Sequence, residues 1–267
     1  MTKKIFLLTV FLFFSYNVDA KQKNVVIVVP SYNNELWCKQ NLDSIFSQEY
    51  TNFRVIYIND ASTDKTGKLV IQYLTEHNLW DKCCYIENKE NKGALYNIYH
   101  AVHSCDDDEI IVLVDGDDWL NSEWVLSRVT DVYEKQDVWL TYGEFINNCT
   151  RSKGCCGVYE EEVIINSSFR DVAWRASHLR TFYAKLFKYI RKEDFMCEGK
   201  FFKVSWDMAI MFPLLEMAQN RFRFISDVLY VYNMVNPLND FKLYEKEQLD
   251  VEAYIRKMPR YKRLDRL

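Results

Sequence analysis

Ile110-Ile-Val-Leu-Val-Asp115-Gly116-Asp117-Asp118-Trp119 is the stretch on which the fold turns. Five apolar residues run without a break into a cluster of carboxylates. An apolar run this short, bounded by polar turn residues, reads as a strand buried on both faces, the kind that parallel sheets contain. Open α/β sheets place ligands beyond the carboxyl ends of their strands, and the cluster stands at such an end. Asp115 and Asp117 flank Gly116, whose missing side chain lets a ligand come close to the backbone. Taken alone, these acids fit a helix cap as well as they fit a divalent-cation site holding a diphosphate.

Upstream, the same pattern recurs. Asn24 to Val29 is a β-branched run closed by Pro30, and the polar turn Ser31-Tyr32-Asn33-Asn34-Glu35 follows it. Leu36 to Phe46 has helical spacing. Phe53 to Ile58 reads as a second strand ending at Asn59-Asp60, and Ala61-Ser62-Thr63-Asp64 caps a helix through about Leu74. Cys83 to Ile86 is a short third strand, and Asn91-Lys92-Gly93 opens a helix reaching about Val102. The run into Asp115 is the fourth strand, a helix capped by Asn121 or Ser122 comes next, and Val138 to Phe145 is the fifth. Strands alternating with helices imply βαβ units and a doubly wound, mostly parallel sheet flanked by helices. Right-handed crossovers then bring the strand ends to one edge. Tyr32 and Asn34, Asp60, and Asp115 with Asp117 should therefore line a single cleft. Asp106-Asp107-Asp108 reads as a solvated loop.

Downstream of about residue 147 the pattern weakens. Trp174 to about Ile190 has helical character, with His178 and Arg180 in it. Trp206 to Ala218 is a helix in which Pro213 predicts a kink. Arg221 to Tyr232 reads as two short strands around Ser226-Asp227. Residues 256–267 carry six positive charges and one negative, a basic tail for which a solvated helix face or peripheral contact with an anionic membrane are the two readings.

The chain of 267 residues has a net charge of −4, which argues against general nucleic-acid binding. Lys3 and Lys4 precede the apolar run Ile5 to Tyr16, and Asn17-Val18-Asp19-Ala20 follows, the pattern of a signal peptide over residues 1–20 or of a short N-terminal anchor. It implies the secretory pathway or membrane association, and a cytoplasmic protein if the segment is not used. Eight cysteines favour an oxidising compartment, and Cys149, Cys155 and Cys156 are close enough in sequence to staple a loop. Without a CxxC pair, a zinc site is not indicated. Asn148-Cys-Thr150 and Asn166-Ser-Ser168 match the glycosylation acceptor pattern.

Five motifs in order resemble the family 2 glycosyltransferases of GT-A fold. They are Val-Val-Pro30-Ser-Tyr32-Asn33, Ile58-Asn59-Asp60-Ala61-Ser62-Thr63-Asp64, Asn88 to Asn97, Val114-Asp115-Gly116-Asp117-Asp118, and Trp206-Asp207. The resemblance spans about residues 24–232. It implies a glycosyltransferase domain over 24–235, with a nucleotide-binding half (24–146) and an acceptor and catalytic-base half (147–235), followed by a helical basic tail (236–267). It implies an inverting transfer of a sugar from a nucleotide-sugar donor, UDP-linked by preference, to a hydroxyl of a glycan, lipid or protein, in glycan or glycoconjugate synthesis. Asp60 would hydrogen-bond the nucleobase beside Pro30, Tyr32 and Asn34. Lys92 and Gly93 would lie by the nucleoside, Asp115 and Gly116 by the ribose. Asp117, or Asp118 in its place, would bind Mg²⁺ or Mn²⁺, and Asp207 would be the general base.

Two positions depart from the family pattern. Trp206 stands where a Glu is usual, and either stacks on the acceptor sugar or belongs to the core. Tyr232-Asn233-Met-Val-Asn236-Pro237 has no His in a segment that often supplies one. His178 and Arg180 are candidates for acceptor or diphosphate binding. Two other readings use the same residues. A sugar nucleotidyltransferase shares the layering but needs a Gly-rich phosphate loop, which is absent here. A non-catalytic nucleotide- or carbohydrate-binding module would draw only on the two departures.

Overall fold

The computed structural model describes residues 22–239 and 243–267. Residues 1–20, read above as a signal peptide or anchor, lie outside them. One eight-stranded sheet runs in the order β3-β2-β1-β4-β7-β6-β10-β5. Its first four strands are β1 (Val25–Ser31), β2 (Phe53–Asn59), β3 (Cys83–Glu87) and β4 (Ile110–Leu113), all parallel. Helices α1 (Cys38–Phe46), α2 (Thr66–Glu76) and α3 (Ala94–His103) connect them. Sequence and structure agree here because buried β-branched strands alternate with one-sided helices.

Strand β1 shows how the core is divided. Val25, Ile27 and Val29 point into one apolar cluster with Leu42 and Ile45 of α1 and Val70 of α2. Val26 and Val28 point into the other, with Leu95 and Ile98 of α3. Both faces are dry, so each of these side chains contributes about 1.5–3 kcal/mol on burial. A polar substitution within β1 would have no face on which to be solvated.

The second half of the sheet is more mixed than a doubly wound reading implies. Strand β5 (Trp119–Leu120) and helix α4 (Val125–Lys135) lead to β6 (Leu140–Asn147). After the short helix α5 (Glu161–Ile165), β7 (Arg180–Tyr183) inserts antiparallel between β4 and β6. The helix expected from Trp174 to Ile190 is thus mostly wrong, and only α6 (Ala184–Lys188) is helical there. Arg180-Thr-Phe-Tyr183 has the β-branched and aromatic character that a buried strand uses, and sheet packing on both sides overrides helical spacing. A hairpin of β8 (Met196–Cys197) and β9 (Lys200–Phe201) precedes α7 (Trp206–Ala218). The helix continues through Pro213.

The two short strands expected at 221–232 are one strand, β10 (Phe222–Tyr232). It pairs parallel with β6 and shifts register between Ile225 and Val228, so Ser226-Asp227 is a bulge and not a break. Strand β5 pairs antiparallel with its far end. Helix α8 (Glu245–Lys257) follows, and residues 258–267 have no regular secondary structure. The tail is anchored, not a free helical face: Tyr261 N–H donates to Glu216 Oε2 (2.8 Å) and Leu264 N–H to the Met217 carbonyl (3.0 Å). No helix among the described residues is long and apolar enough to cross a membrane. All eight cysteines are free thiols, including Cys149, Cys155 and Cys156.

Candidate active site

The carboxyl end of β1 organises the cleft. Its last two carbonyls bind the chain leaving each neighbouring strand: Ser31 O accepts from Asp60 N–H (2.8 Å), and Pro30 O accepts from Gly116 N–H (3.1 Å). Three strand ends far apart in sequence are thereby joined by backbone bonds. Gly116 is required by this join. A Cβ there would lie 2.5 Å from Ser31 Oγ, 2.6 Å from Ser31 Cβ and 2.8 Å from Asn34 Nδ2. The closeness that its sequence position suggested for a ligand is used by the protein's own turn.

That turn is a network of its own. Asn34 N–H donates to Thr66 Oγ1 (2.7 Å), and Asn34 Nδ2 to Ser31 Oγ (3.0 Å). Asn33 adopts φ 53°, and its side-chain oxygen accepts from Thr63 N–H (2.8 Å), linking the turn to the 61–64 segment. Tyr32 is left exposed at the rim.

Asp60 is buried and faces the 88–93 loop. Oδ1 accepts from Lys92 N–H (2.9 Å) and Asn88 Nδ2 (2.7 Å), and Oδ2 from Gly93 N–H (2.8 Å). Gly93 has φ 85°, which only a glycine adopts at little cost, and α3 starts directly after it. Asp60 therefore shapes the loop beside the cleft. Lys92 Nζ points away to pair with Glu90.

The acid cluster is held from three sides. From α1, buried Asn41 donates through Nδ2 to the carbonyls of Asp115 (3.0 Å) and Asp118 (2.8 Å). From β10, Tyr230 O–H donates to Asp118 Oδ2 (2.7 Å) and accepts from Asp115 N–H (3.1 Å). From the segment after β10, Asn233 N–H donates to Asp118 Oδ1 (2.7 Å), and Asn236 Nδ2 to Asp117 Oδ2 (2.7 Å). Amides thus meet the cluster where the family pattern suggested a His. Asn148 tethers this segment, accepting from Met234 N–H (3.0 Å) and donating to Asn233 Oδ1 (2.9 Å). Sequence reading missed Asn41, Tyr230, Asn233 and Asn236. For the last two, the Asn-rich composition of 233–239 was a hint.

The electrostatics follow from this crowding. Burial, then Asp117 and Asp207, push the Asp115 carboxyl up to about 6 against the opposing pull of Arg180. Burial, Asp117 and Asp115 raise Asp118 as well. Burial raises Asp207 too, and Arg180 opposes it. Asp207 lies in the first turn of α7, where its carboxylate meets the backbone N–H groups of Met208 and of Asp207 itself.

Arg180 stands between the two acidic groups. Its Nη2 donates to Asp115 Oδ2 (3.3 Å), and its Nη1 pairs with Asp207 Oδ2 (3.5 Å). The guanidinium lies over the Trp206 ring, 4.6 Å from its centroid. His178 is buried, stacked on Tyr230 at 4.4 Å, and burial and Arg180 hold its pKa well below the usual imidazole value. Its Nδ1 sits 3.1 Å from Arg180 Nη2 and so accepts, which places the ring proton on Nε2.

Oxygen-rich donors suit a hard divalent cation. Asp115 and Asp118 each offer a carboxylate oxygen, within 4.8 Å of each other and of a His178 ring nitrogen, and His178 stands by as a neighbour because Arg180 already occupies its Nδ1 lone pair. A cation there would also offset the mutual repulsion that raises Asp115 and Asp118, so the residues fit one.

The Glycosyl transferase family 2 model matches residues 26–155 of this chain. Glycosyltransferase GlyG of Streptococcus pneumoniae is 27% identical over 78% of this chain and 70% of its own length. Poly(ribitol-phosphate) beta-N-acetylglucosaminyltransferase TarS of Staphylococcus aureus is 31% identical, over 36% of this chain and only 17% of its own. Among solved structures, a TarS fragment in complex with UDP-GlcNAc superposes with a TM-score of 0.62 at 18% identity, over 87% of this chain and 65% of that one. Mannosyltransferase PcManGT of Pyrobaculum calidifontis, in complex with GDP-Man and Mn²⁺, gives 0.61 at 19% identity, over 91% of this chain and 67% of that one.

Proposed function

The chain belongs to the family 2 glycosyltransferases, and from that membership we propose that it is an inverting, cation-dependent enzyme taking its sugar from a nucleotide-sugar donor, UDP-linked by preference. The observation carrying this reading is the acid cluster at the carboxyl end of β4 facing Asp207 across Arg180. Two fold neighbours were solved with UDP-GlcNAc and with GDP-Man and Mn²⁺, which supports a nucleotide-sugar donor.

Each residue then has a role in the transfer. Asp207 accepts the proton of the acceptor hydroxyl as that oxygen bonds to the anomeric carbon. The bond from that carbon to the diphosphate breaks, and its electron pair leaves with the diphosphate. A single displacement of this kind inverts the anomeric centre. A positioned carboxylate base contributes about 10²–10⁴-fold to such a step. Asp60, with the 88–93 loop it holds, and the 30–34 turn with Tyr32 at its rim form the wall for the nucleoside. Asp115, Asp117 and Asp118 would hold Mg²⁺ or Mn²⁺ with His178 beside them. When bound, the ion would offset the charge developing on the diphosphate. Acceptors in reach of this chemistry are hydroxyls of a glycan, lipid or protein.

The test is nucleotide release from a panel of UDP- and GDP-sugars, with water as the basal acceptor, in Mn²⁺, in Mg²⁺ and in EDTA. Release from a UDP-sugar that stops in EDTA is expected. Equal release in EDTA would remove the cation from the scheme, and pyrophosphate release from a nucleoside triphosphate and sugar phosphate would replace transfer by nucleotidyl transfer.

A further inference from the structure

Resting on Asp207 as the base, we infer that Arg180, set over the Trp206 ring, is a positioning residue that aims the Asp207 carboxylate and sets its separation from Asp115. Strand register explains how Arg180 gets there. It is paired with Leu113, two residues before Asp115, on the reversed strand β7. The same strand register places it beside Tyr142 of β6. Its side chain therefore reaches the strand-end edge from inside the sheet.

The guanidinium is 1% exposed as a residue and permanently charged. Burying it adds nothing to the core that a Met or Leu would not add at lower desolvation cost. What an apolar side chain cannot supply is a rigid fork. Nη2 addresses Asp115 at 3.3 Å while Nη1 addresses Asp207 at 3.5 Å, so the two carboxylates are spaced by one planar group. Two flanking contacts hold that plane. Trp206 lies beneath it at 4.6 Å, and His178 Nδ1 accepts from Nη2 at 3.1 Å. Nε is buried and has no hydrogen-bond partner among the described residues, so the plane is fixed by its face and its Nη edge. This gives Trp206 a role suited to an aromatic. A ring face holds the guanidinium without competing for the Nη donors, as a carboxylate at that position would.

The test compares Arg180→Met, Arg180→Lys, Asp207→Asn and the Arg180→Met/Asp207→Asn double variant. Each is assayed on the panel donor that the wild type turns over fastest, and each is melted in parallel. A misaimed base predicts a kcat loss of about 10²-fold in Arg180→Met with the donor KM changed by less than about threefold. The double variant should be no slower than Asp207→Asn alone within about threefold, because both changes remove one function. Arg180→Lys keeps the charge but not the fork, and should melt near the wild type while keeping less than about a tenth of its kcat. Wild-type kcat in Arg180→Lys, or a double variant slower by the product of the two single losses, would overturn the inference. Should Arg180→Met fail to fold, the Arg180→Lys result decides alone. Wild-type turnover in Asp207→Asn would remove the base assignment, and the positioning role with it. A dead Asp207→Asn beside a fully active Arg180→Lys removes the positioning role only.

Discussion

Asp115 is half-buried beside Asp117 and Asp207, and its carboxyl is pushed up to about 6 from the ordinary 3.8. The folded chain therefore binds more protons than the unfolded chain between those values. Its contribution to stability is fully present below about pH 4 and is lost as pH rises through about 6. A divalent cation held there, as proposed, would replace the proton, so Mn²⁺ should raise the melting temperature clearly at pH 7.5 and little at pH 5, as a thermal-shift titration would read. An equal shift at both pH values would count against binding at this cluster. If Asp207 is the base as proposed, Asp207→Asn keeps its shape but not its basicity. Turnover should fall by about 10²–10⁴-fold while donor binding, measured calorimetrically, stays within a few-fold. Asp60→Asn is expected to act differently. Three donors converge on this carboxylate, and an amide would turn a donor toward one of them. A loss of about 1–3 kcal/mol in urea unfolding is expected, together with weaker donor binding. Unchanged donor affinity would mean that the 88–93 loop does not border the nucleoside.

Helix α7 carries Asp207 in its first turn and Glu216 near its end, and the second anchors the first. Glu216 makes a buried, two-pronged pair with Arg170 (Nε 2.5 Å, Nη2 2.9 Å). Arg170 Nη1 also donates to the Ile255 carbonyl of α8 (2.6 Å), and Tyr261 N–H reaches Glu216 Oε2. The basic tail is thus part of the clamp on the helix that carries Asp207. Glu216→Ala would leave Arg170 charged and unpaired in the core, and should cost about 3–5 kcal/mol in denaturant unfolding. A cost under 1 kcal/mol would mean that water or the tail compensates. At the other end of the cleft, Gly116→Ala sets a methyl against Ser31 and Asn34. Overpacking of this sort costs about 1–3 kcal/mol and would part the ends of β1 and β4.

Across the whole molecule, what could be read in advance was what local pattern dictates. The strands Val25–Ser31, Phe53–Asn59 and Ile110–Leu113 are built on short apolar, mostly β-branched runs, and their shared edge follows from the handedness of βαβ connections. The approach of Asp60 and the acids after β4 to the 30–34 turn was legible for the same reason. The second half of the sheet was not. Arg180-Thr-Phe-Tyr183 becomes a strand only because β4 and β6 leave a place for it, and no spacing rule reveals that. Tyr230 and Asn233 were equally hidden, because their role depends on β10 pairing with β5 beside the acids. On the function proposed above, the edge shared by these strands is a cation-dependent donor site. Its most direct measurement is nucleotide release by the wild-type chain from a panel of UDP- and GDP-sugars, first in EDTA and then with Mn²⁺ restored. Release from a UDP-sugar that is absent in EDTA and returns with Mn²⁺ is the predicted result. Release that proceeds at the same rate in EDTA would contradict it.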